Sequence, residues 1–396
     1  MGIKEEVRRV LPEVVQLRHY LHQHPELSDQ EEQTASLVAE RLEKLGMRPR
    51  TGVGGHGIMA DIRVSDSAPT LALRADMDAL PIQEENDVPY RSVRQGVMHA
   101  CGHDGHTAIL IGVAEVLCQL RESLPVNVRL IFQPAEETVG GARRMCEAGA
   151  MDGVTAVVAL HGWVHLPLGH VGVRAGPAMA AADTFDITVR GKGAHAAYPH
   201  LAVDPIVAGA RIVTALQNAV SREMDPLEPV VLTVGRFHAG TAYNIIPEEA
   251  YLSGTVRTLS RAARDRMEQV VGRIAHGVCA SAGAECEMKY THGAPPVVND
   301  EWVVRLIRRA AEQTVGADSV SELVQPSMGA EDFAYFLQHA RGAMFRLGLG
   351  NRAPGHTSHF DFDDRALPVG VEVLCRICLN GLQEPEGRTR GPASAA

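Results

Sequence analysis

The chain has 396 residues, 45% apolar and 22% charged, a globular balance with enough apolar material for two packed domains. Its net charge of −10, without any long Lys/Arg run, excludes the clustered basic face that nucleic-acid binding needs. Seven widely spaced cysteines form no disulfide framework, no apolar run can span a bilayer, and the N-terminus MGIKEEVRRV carries neither a secretory h-region nor a myristoylation signal, so the expectation is a cytoplasmic protein without membrane association.

The helical spacing of Val7, Val10, Leu11, Val14, Val15 and Leu21 predicts a first helix over 5–21, which Pro12 either kinks or opens. A second helix follows, with Ser28 as N-cap and Glu31 completing a capping box. Its buried stripe is Ala35, Val38, Leu42 and Leu45, and Gly46 stops it. Apolar runs at 58–64, 70–74, 126–132 and 156–160 read as buried strands, with a helix at 107–120 among them. Strands buried on both faces and alternating with helices predict an α/β sheet.

The pattern changes at Phe185. There Phe185, Ile187 and Val189 alternate with Asp186, Thr188 and Arg190, as on a half-exposed strand. A helix at 205–220, strands at 230–234 and 250–259, a helix at 262–280 and a strand at 286–290 follow. This β-α-β-β-α-β order predicts an inserted α+β domain over 185–295, ferredoxin-like and four-stranded. The flanking stretches 1–184 and 296–383 then make one discontinuous domain, a mixed sheet flanked by helices. Cys375 and Cys378 sit in an apolar helical run at 369–382 and read as core, not as a redox pair. The tail at 384–396, rich in Gly, Pro, Ser, Ala and Arg, is expected to be disordered.

Four segments carry chemistry. His99-Ala100-Cys101-Gly102-His103-Asp104-Gly105-His106 offers thiolate and imidazole in a short loop before a helix. Both are good zinc-type ligands, although Cys-x-His is no finger spacing and a lone Cys is usually a small core residue. Gln133-Pro134-Ala135-Glu136-Glu137 leaves a strand at its C-terminal end, where α/β sheets bind ligands. One carboxylate there can bind metal while the other takes a proton from water; the alternative is a solvated acidic turn. Leu160-His161-Gly162-Trp163 places a His just past a buried strand, and the fourth segment runs from Gly355-His356 to His359-Phe360-Asp361-Phe362. Their convergence on strand ends is what a shared site requires.

Together with Arg74-Ala75-Asp76-Met77-Asp78-Ala79-Leu80-Pro81, GKGAHAAYPH, YNIIP and GTVRT, these motifs closely resemble one group. It is the indole-acetyl-amino-acid hydrolase and hippurate hydrolase subfamily of the aminoacylase/carboxypeptidase-type metallopeptidases. The resemblance runs from about His19 to Leu382. It implies an N-acyl-amino-acid amidohydrolase with two divalent metal ions per subunit, zinc or manganese, with cobalt or nickel also tolerated. Cys101, His103, Glu137, His161 and His356 match the metal ligands, Glu136 the general base, and Asp78 an acid supporting the metals. The inserted domain resembles a lid and dimerisation domain, implying a homodimer. Within it His195 matches an oxyanion-stabilising residue, and Asn244 and Arg257 match residues near the substrate carboxylate.

One feature departs from the pattern. The last ligand motif often reads His-Ser-Pro before the Phe, whereas here His356 and His359 both precede Phe360. His356 has the family spacing, and His359 is the alternative. Because His195 follows a half-exposed strand, a sheet edge pairing with its symmetry mate would aim His195 into the partner's site. A dipeptidase or carboxypeptidase of the same superfamily is the enzymatic rival. A binding protein on an inactivated hydrolase fold is the rival from another class.

Overall fold

A computed structural model of the chain describes residues 2–383, so the expected disorder of 384–396 falls outside the described residues. The fold is mixed α/β and separates into two compact units. One comprises Met1–Gly176, Asn299–Val324 and Tyr335–Ala396, the other Pro177–Val298 and Gln325–Ala334. The insertion thus begins at Pro177, ahead of the alternation that starts at Phe185. The first strand of its four-stranded sheet is Ala181–Arg190, whose opening alanines hide the period of two. Among the described residues no helix is long and apolar enough to cross a membrane.

The larger unit holds an eight-stranded sheet in the order 50–53, 57–62, 127–133, 70–76, 154–163, 341–348, 171–173, 320–322. Its four central strands, Asn127–Gln133, Thr70–Asp76, Val154–Trp163 and Arg341–Gly348, run parallel. They therefore deliver the residues that follow Asp76 and Gln133, and those around His161, to one edge. Buried apolar residues, alanine, valine and leucine foremost, fill these strands, because a parallel sheet is covered on both faces. The helices Ile3–Gln23, His103–Gln119 and Leu367–Asn380 pack together over it. Cys375 and Cys378 are buried in the last of them, and all seven cysteines are free.

Two helix starts differ from expectation. The first helix runs unbroken from Ile3 with Pro12 inside it, so Pro12 does not open it. Ser28 does not cap the second helix, Glu32–Lys44. Glu26 does so from outside the expected box, accepting from Gln33 N at 3.2 Å and Thr34 N at 2.8 Å. That leaves Ser28 and Glu31 to serve distant partners.

The smaller unit is a four-stranded antiparallel sheet in the order 230–239, 249–258, 181–190, 285–292. The helices Pro205–Glu223 and Arg261–Ala282 pack on it, burying Phe185, Ile187, Val189, Leu252, Ile212 and Val270. The strand before His195 is interior, paired on both sides, so it cannot serve as the edge that meets a symmetry mate. The edges are Val230–Ala239 and Glu285–His292.

Candidate metal centre

Strand Thr70–Asp76 delivers Asp76 and, just beyond it, Asp78, both buried. Arg74 donates from Nη1 to Asp76 Oδ2 at 2.7 Å and from Nε to Gln133 Oε1 at 2.7 Å, tying two neighbouring strands together. His106 Nδ1 lies 2.7 Å from Asp76 Oδ1, and His106 Nε2 accepts the Gly162 N–H at 2.9 Å. With Nε2 accepting, Nδ1 carries the proton, and neither nitrogen has a lone pair to spare. His106 is a brace, although Asp76, His103 and His106 stand close enough to hold an ion.

His103 opens the helix His103–Gln119, directly after Gly102 at φ +90°, a left-handed turn that favours glycine. It lies on the helix and not in the loop before it. Its Nδ1 lies 2.9 Å from the Asp78 carbonyl and 3.2 Å from Asp78 Oδ1. Two acceptors on that side place a hydrogen on Nδ1 and leave Nε2 as the nitrogen open to a cation. His161 is set the same way: Nδ1 lies 2.8 Å from the Gly162 carbonyl, and Nε2 lies 3.5 Å from Cys101 Sγ.

The carboxylates complete the cluster. The Glu137 N–H donates to Asp78 Oδ2 at 3.0 Å, and Glu137 Oε2 lies 3.6 Å from His356 Nε2. The donor atoms of Cys101, His103 and His161 lie within 4.8 Å of one another, as do those of Cys101, Glu137 and His356, and of His103, Glu136 and Glu137. These overlapping triads bring Cys101, His103, Glu136, Glu137, His161 and His356 together. His356 has φ +63°, and its N–H donates to the Ala100 carbonyl at 2.7 Å. His359 is exposed, its Nδ1 3.6 Å from Glu85 Oε2 and 3.0 Å from Ser358 Oγ, outside these triads.

The donor set fits a divalent cation. His103 Nε2 and Glu137 Oε1 are buried, lack hydrogen-bond partners among the described residues, and lie 3.9 Å apart. Leaving each orphaned costs about 1–3 kcal/mol, a cost that binding one cation would remove. Burial pushes the Cys101 thiol far above its ordinary range, and it raises the Glu137 carboxyl against the pull of His103 and His356. Burial and His106 together hold His161 well below its ordinary range, neutral and able to coordinate. A thiol and a carboxyl short of positive charge, beside the imidazoles of His103 and His161, suit a borderline cation such as zinc.

The family model described as Peptidase family M20/M25/M40 matches residues 72–380. The chain belongs to this family. It is similar to an N-acyl-L-amino acid amidohydrolase of Geobacillus stearothermophilus, with 46% identity over 301 residues, 75% of this chain and 81% of that one. Thermostable carboxypeptidase 1 of Saccharolobus solfataricus is 40% identical over 380 residues, 93% of this chain and 95% of that one. Among solved structures, a dinuclear metal-binding peptidase of the M20 family from Bacillus subtilis superposes with a TM-score of 0.83 at 36% identity, covering 94% of this chain and 98% of that one. This M20 protein is therefore an amide-hydrolysing enzyme of the amidohydrolase and peptidase class that uses divalent metal.

The remaining sequence-predicted residues lie in the smaller unit. His195 is exposed on a short ladder with Ile245–Ile246, and its Nδ1 accepts from Ala197 N at 3.1 Å. That leaves Nε2–H as a donor. The Asn244 carbonyl accepts from Ala196 N at 3.0 Å, so Asn244 and His195 are neighbours. Arg257 lies far along the strand Glu249–Thr258, opposite Ala182 and Val231. The His195 loop leaves the sheet beside Glu248, whose carbonyl accepts the Gly191 N–H. From Glu249 to Arg257 the strand extends about 26 Å, so His195 and Arg257 occupy opposite ends of this unit. Sequence reasoning missed Asp76, His106 and Ser28. The first two lay inside quoted motifs, but nothing in their spacing shows that they pair.

Proposed function

We propose that this M20 hydrolase cleaves N-acyl amino acids to a carboxylic acid and a free amino acid, as in the indole-acetyl-amino-acid and hippurate hydrolase subfamily. The observation that carries this is the different company kept by two adjacent carboxylates. Glu137 shares triads with Cys101, His103 and His356, whereas Glu136, among the described residues, shares none with Cys101, His161 or His356. Glu137 is thus the ligand and Glu136 the base. Two divalent ions per subunit, zinc or manganese with cobalt or nickel as alternatives, supply Lewis acidity and lower the pKa of water when bound. Cys101, His103, Glu137, His161 and His356 would hold them, with Asp78 fixing His103 and Glu137. Glu136 takes the proton from the attacking water and passes it to the leaving amine. His195 Nε2–H donates to the developing oxyanion, while Arg257 and Asn244 hold the substrate carboxylate.

The opposite placement of His195 and Arg257 supports a site shared between two subunits of a homodimer, with His195 and Asn244 supplied by the partner. The smaller unit exposes Val231 and Phe237 on its edge strand, Ile206 and Val207 on a helix packed against that strand, and a fully exposed Tyr243. Apolar surface of this kind suits a second copy. Seven free cysteines suit a reducing cytoplasm.

The carboxypeptidase relative supports a second reading, in which the acyl half is itself a peptide. A substrate panel separates the two: N-acetyl, N-benzoyl and indole-acetyl amino acids against dipeptides and longer peptides, each with added zinc or manganese. Preferred turnover of the N-acyl series is expected. Cleavage of peptides alone overturns the proposal.

A further inference from the structure

The turn that carries Glu136 and Glu137 is strained. Ala135 adopts φ +52°, a left-handed conformation that costs a non-glycine residue about 1–2 kcal/mol. Left alone, this backbone would relax and carry both carboxylates with it. On one side its carbonyl accepts from Gly141 N at 3.2 Å, and a Cβ at Gly141 would stand 1.6 Å from the Pro134 carbonyl, so only glycine fits there. On the other side its N–H donates to Glu31 Oε1 at 2.8 Å. Glu31 is fully buried, and its Oε2 has no hydrogen-bond partner among the described residues. It heads the helix Glu32–Lys44, yet its side chain makes no capping bond there, because Glu26 accepts from that helix instead. Its bond to Ala135 spans 104 residues of sequence, so a distant turn and not the helix is what this side chain holds.

The same segment grips the other carrier of the site. The Glu26 carbonyl accepts from Ala79 N at 2.8 Å, and Ser28 Oγ donates to Asp78 Oδ2 at 2.7 Å. Asp78 Oδ2 in turn accepts the Glu137 N–H. Residues 26–31 therefore form a strap that reaches the turn after Asp76 and the turn after Gln133, which follow adjacent strands. We infer that Glu31 is a positioning residue that holds the Ala135 turn in its strained conformation and thereby aims Glu136 and Glu137. The inference rests on the functional reading above, in which those two carboxylates act as base and ligand.

The test uses the full-length, metal-loaded enzyme and the variants Glu31→Ala and Glu31→Gln. Zinc affinity is measured by chelator competition, exchange of the 133–140 backbone by deuterium uptake, and kcat and KM on the best substrate of the panel. For Glu31→Ala the expectation is about tenfold weaker zinc binding, faster exchange confined to that turn, and kcat down about tenfold with KM within about twofold. Glu31→Gln retains the acceptor and is expected to restore all three to within about threefold. Should Glu31→Ala fail to fold, Glu31→Asp, one methylene too short, carries the same expectation. A folded Ala or Asp variant with native zinc affinity and native exchange overturns the inference, as does a Gln variant no better than Ala. Zinc affinity and exchange need no substrate. If they shift while the wild-type enzyme leaves every N-acyl amino acid uncleaved, the substrate reading fails and the positioning role stands.

Discussion

Asp78→Asn keeps the shape of the side chain and removes its charge. Burial opposes ionisation of Asp78, but the hydrogen bonds to His103, Ser28 and the Glu137 N–H outweigh it and hold its carboxyl below the ordinary range. It is therefore ionised at neutral pH, and its hydrogen bonds are charge-assisted. Oδ2 accepts from Ser28 Oγ at 2.7 Å and from Glu137 N at 3.0 Å, and Oδ1 faces His103 Nδ1 at 3.2 Å. An asparagine has one oxygen for these three donors. With the oxygen at the Oδ2 position, the amide NH2 meets the His103 N–H donor to donor; with the amide reversed, it meets the Glu137 N–H. Either orientation loses at least one charge-assisted bond, about 1.5–3 kcal/mol, and disturbs a proposed metal ligand directly. The expected result is about 10–100-fold weaker zinc binding in a chelator competition titration. Glu136→Gln is the control, since it alters the proposed base and leaves the proposed ligands in place. A folded Asp78→Asn protein with native zinc affinity would refute the reasoning.

Glu136→Gln should lower kcat about 10²–10⁴-fold with bound metal unchanged by elemental analysis, whereas Glu137→Ala should lose metal; near-normal kcat in Glu136→Gln would remove it as the base. His22 is buried between Asp104 Oδ2 at 2.9 Å and Glu84 Oε1 at 3.1 Å. Burial opposes its charge, but Asp104 and Glu84 raise its pKa from 6.5 to about 9. A folded value above the unfolded one gives stabilisation that is complete below about pH 6.5 and lost as pH rises through 9, about 3 kcal/mol in all. The melting temperature should fall across that window more steeply than in His22→Gln, and parallel curves would discard the assignment. Arg257→Ala should weaken turnover of substrates with a free α-carboxylate by about 1.5–3 kcal/mol and spare their amides, and equal losses would count against the carboxylate role. His195→Ala and Glu136→Gln should each be nearly inactive alone yet regain activity when mixed. Random exchange leaves about a quarter of sites with an intact Glu136 from one chain and an intact His195 from the other, so verified exchange without recovery places His195 in its own site or in none.

Local spacing along the chain determined much of this protein. The alternation at Phe185, Ile187 and Val189 marked a one-sided strand, because side chains on an extended backbone alternate faces whatever surrounds them. Cys101 with His103, and Glu136 with Glu137, were legible because each pair lies within one short segment. What tertiary structure decided is which partner each polar group meets. Ser28 and Glu31 have the spacing of a capping box, yet Ser28 serves Asp78 and Glu31 serves Ala135, while Glu26 caps the helix. His106 shares its segment with Cys101 and His103 but braces Asp76, because Gly162 N occupies its other nitrogen. His356 and His359 flank one turn, and only the fold sets the first beside Glu137 and the second beside Glu85. A hydrogen bond or a metal ligand is decided within about 3 Å. Sequence periodicity fixes which face a side chain lies on, but the group it meets there comes from a distant segment that only folding brings near.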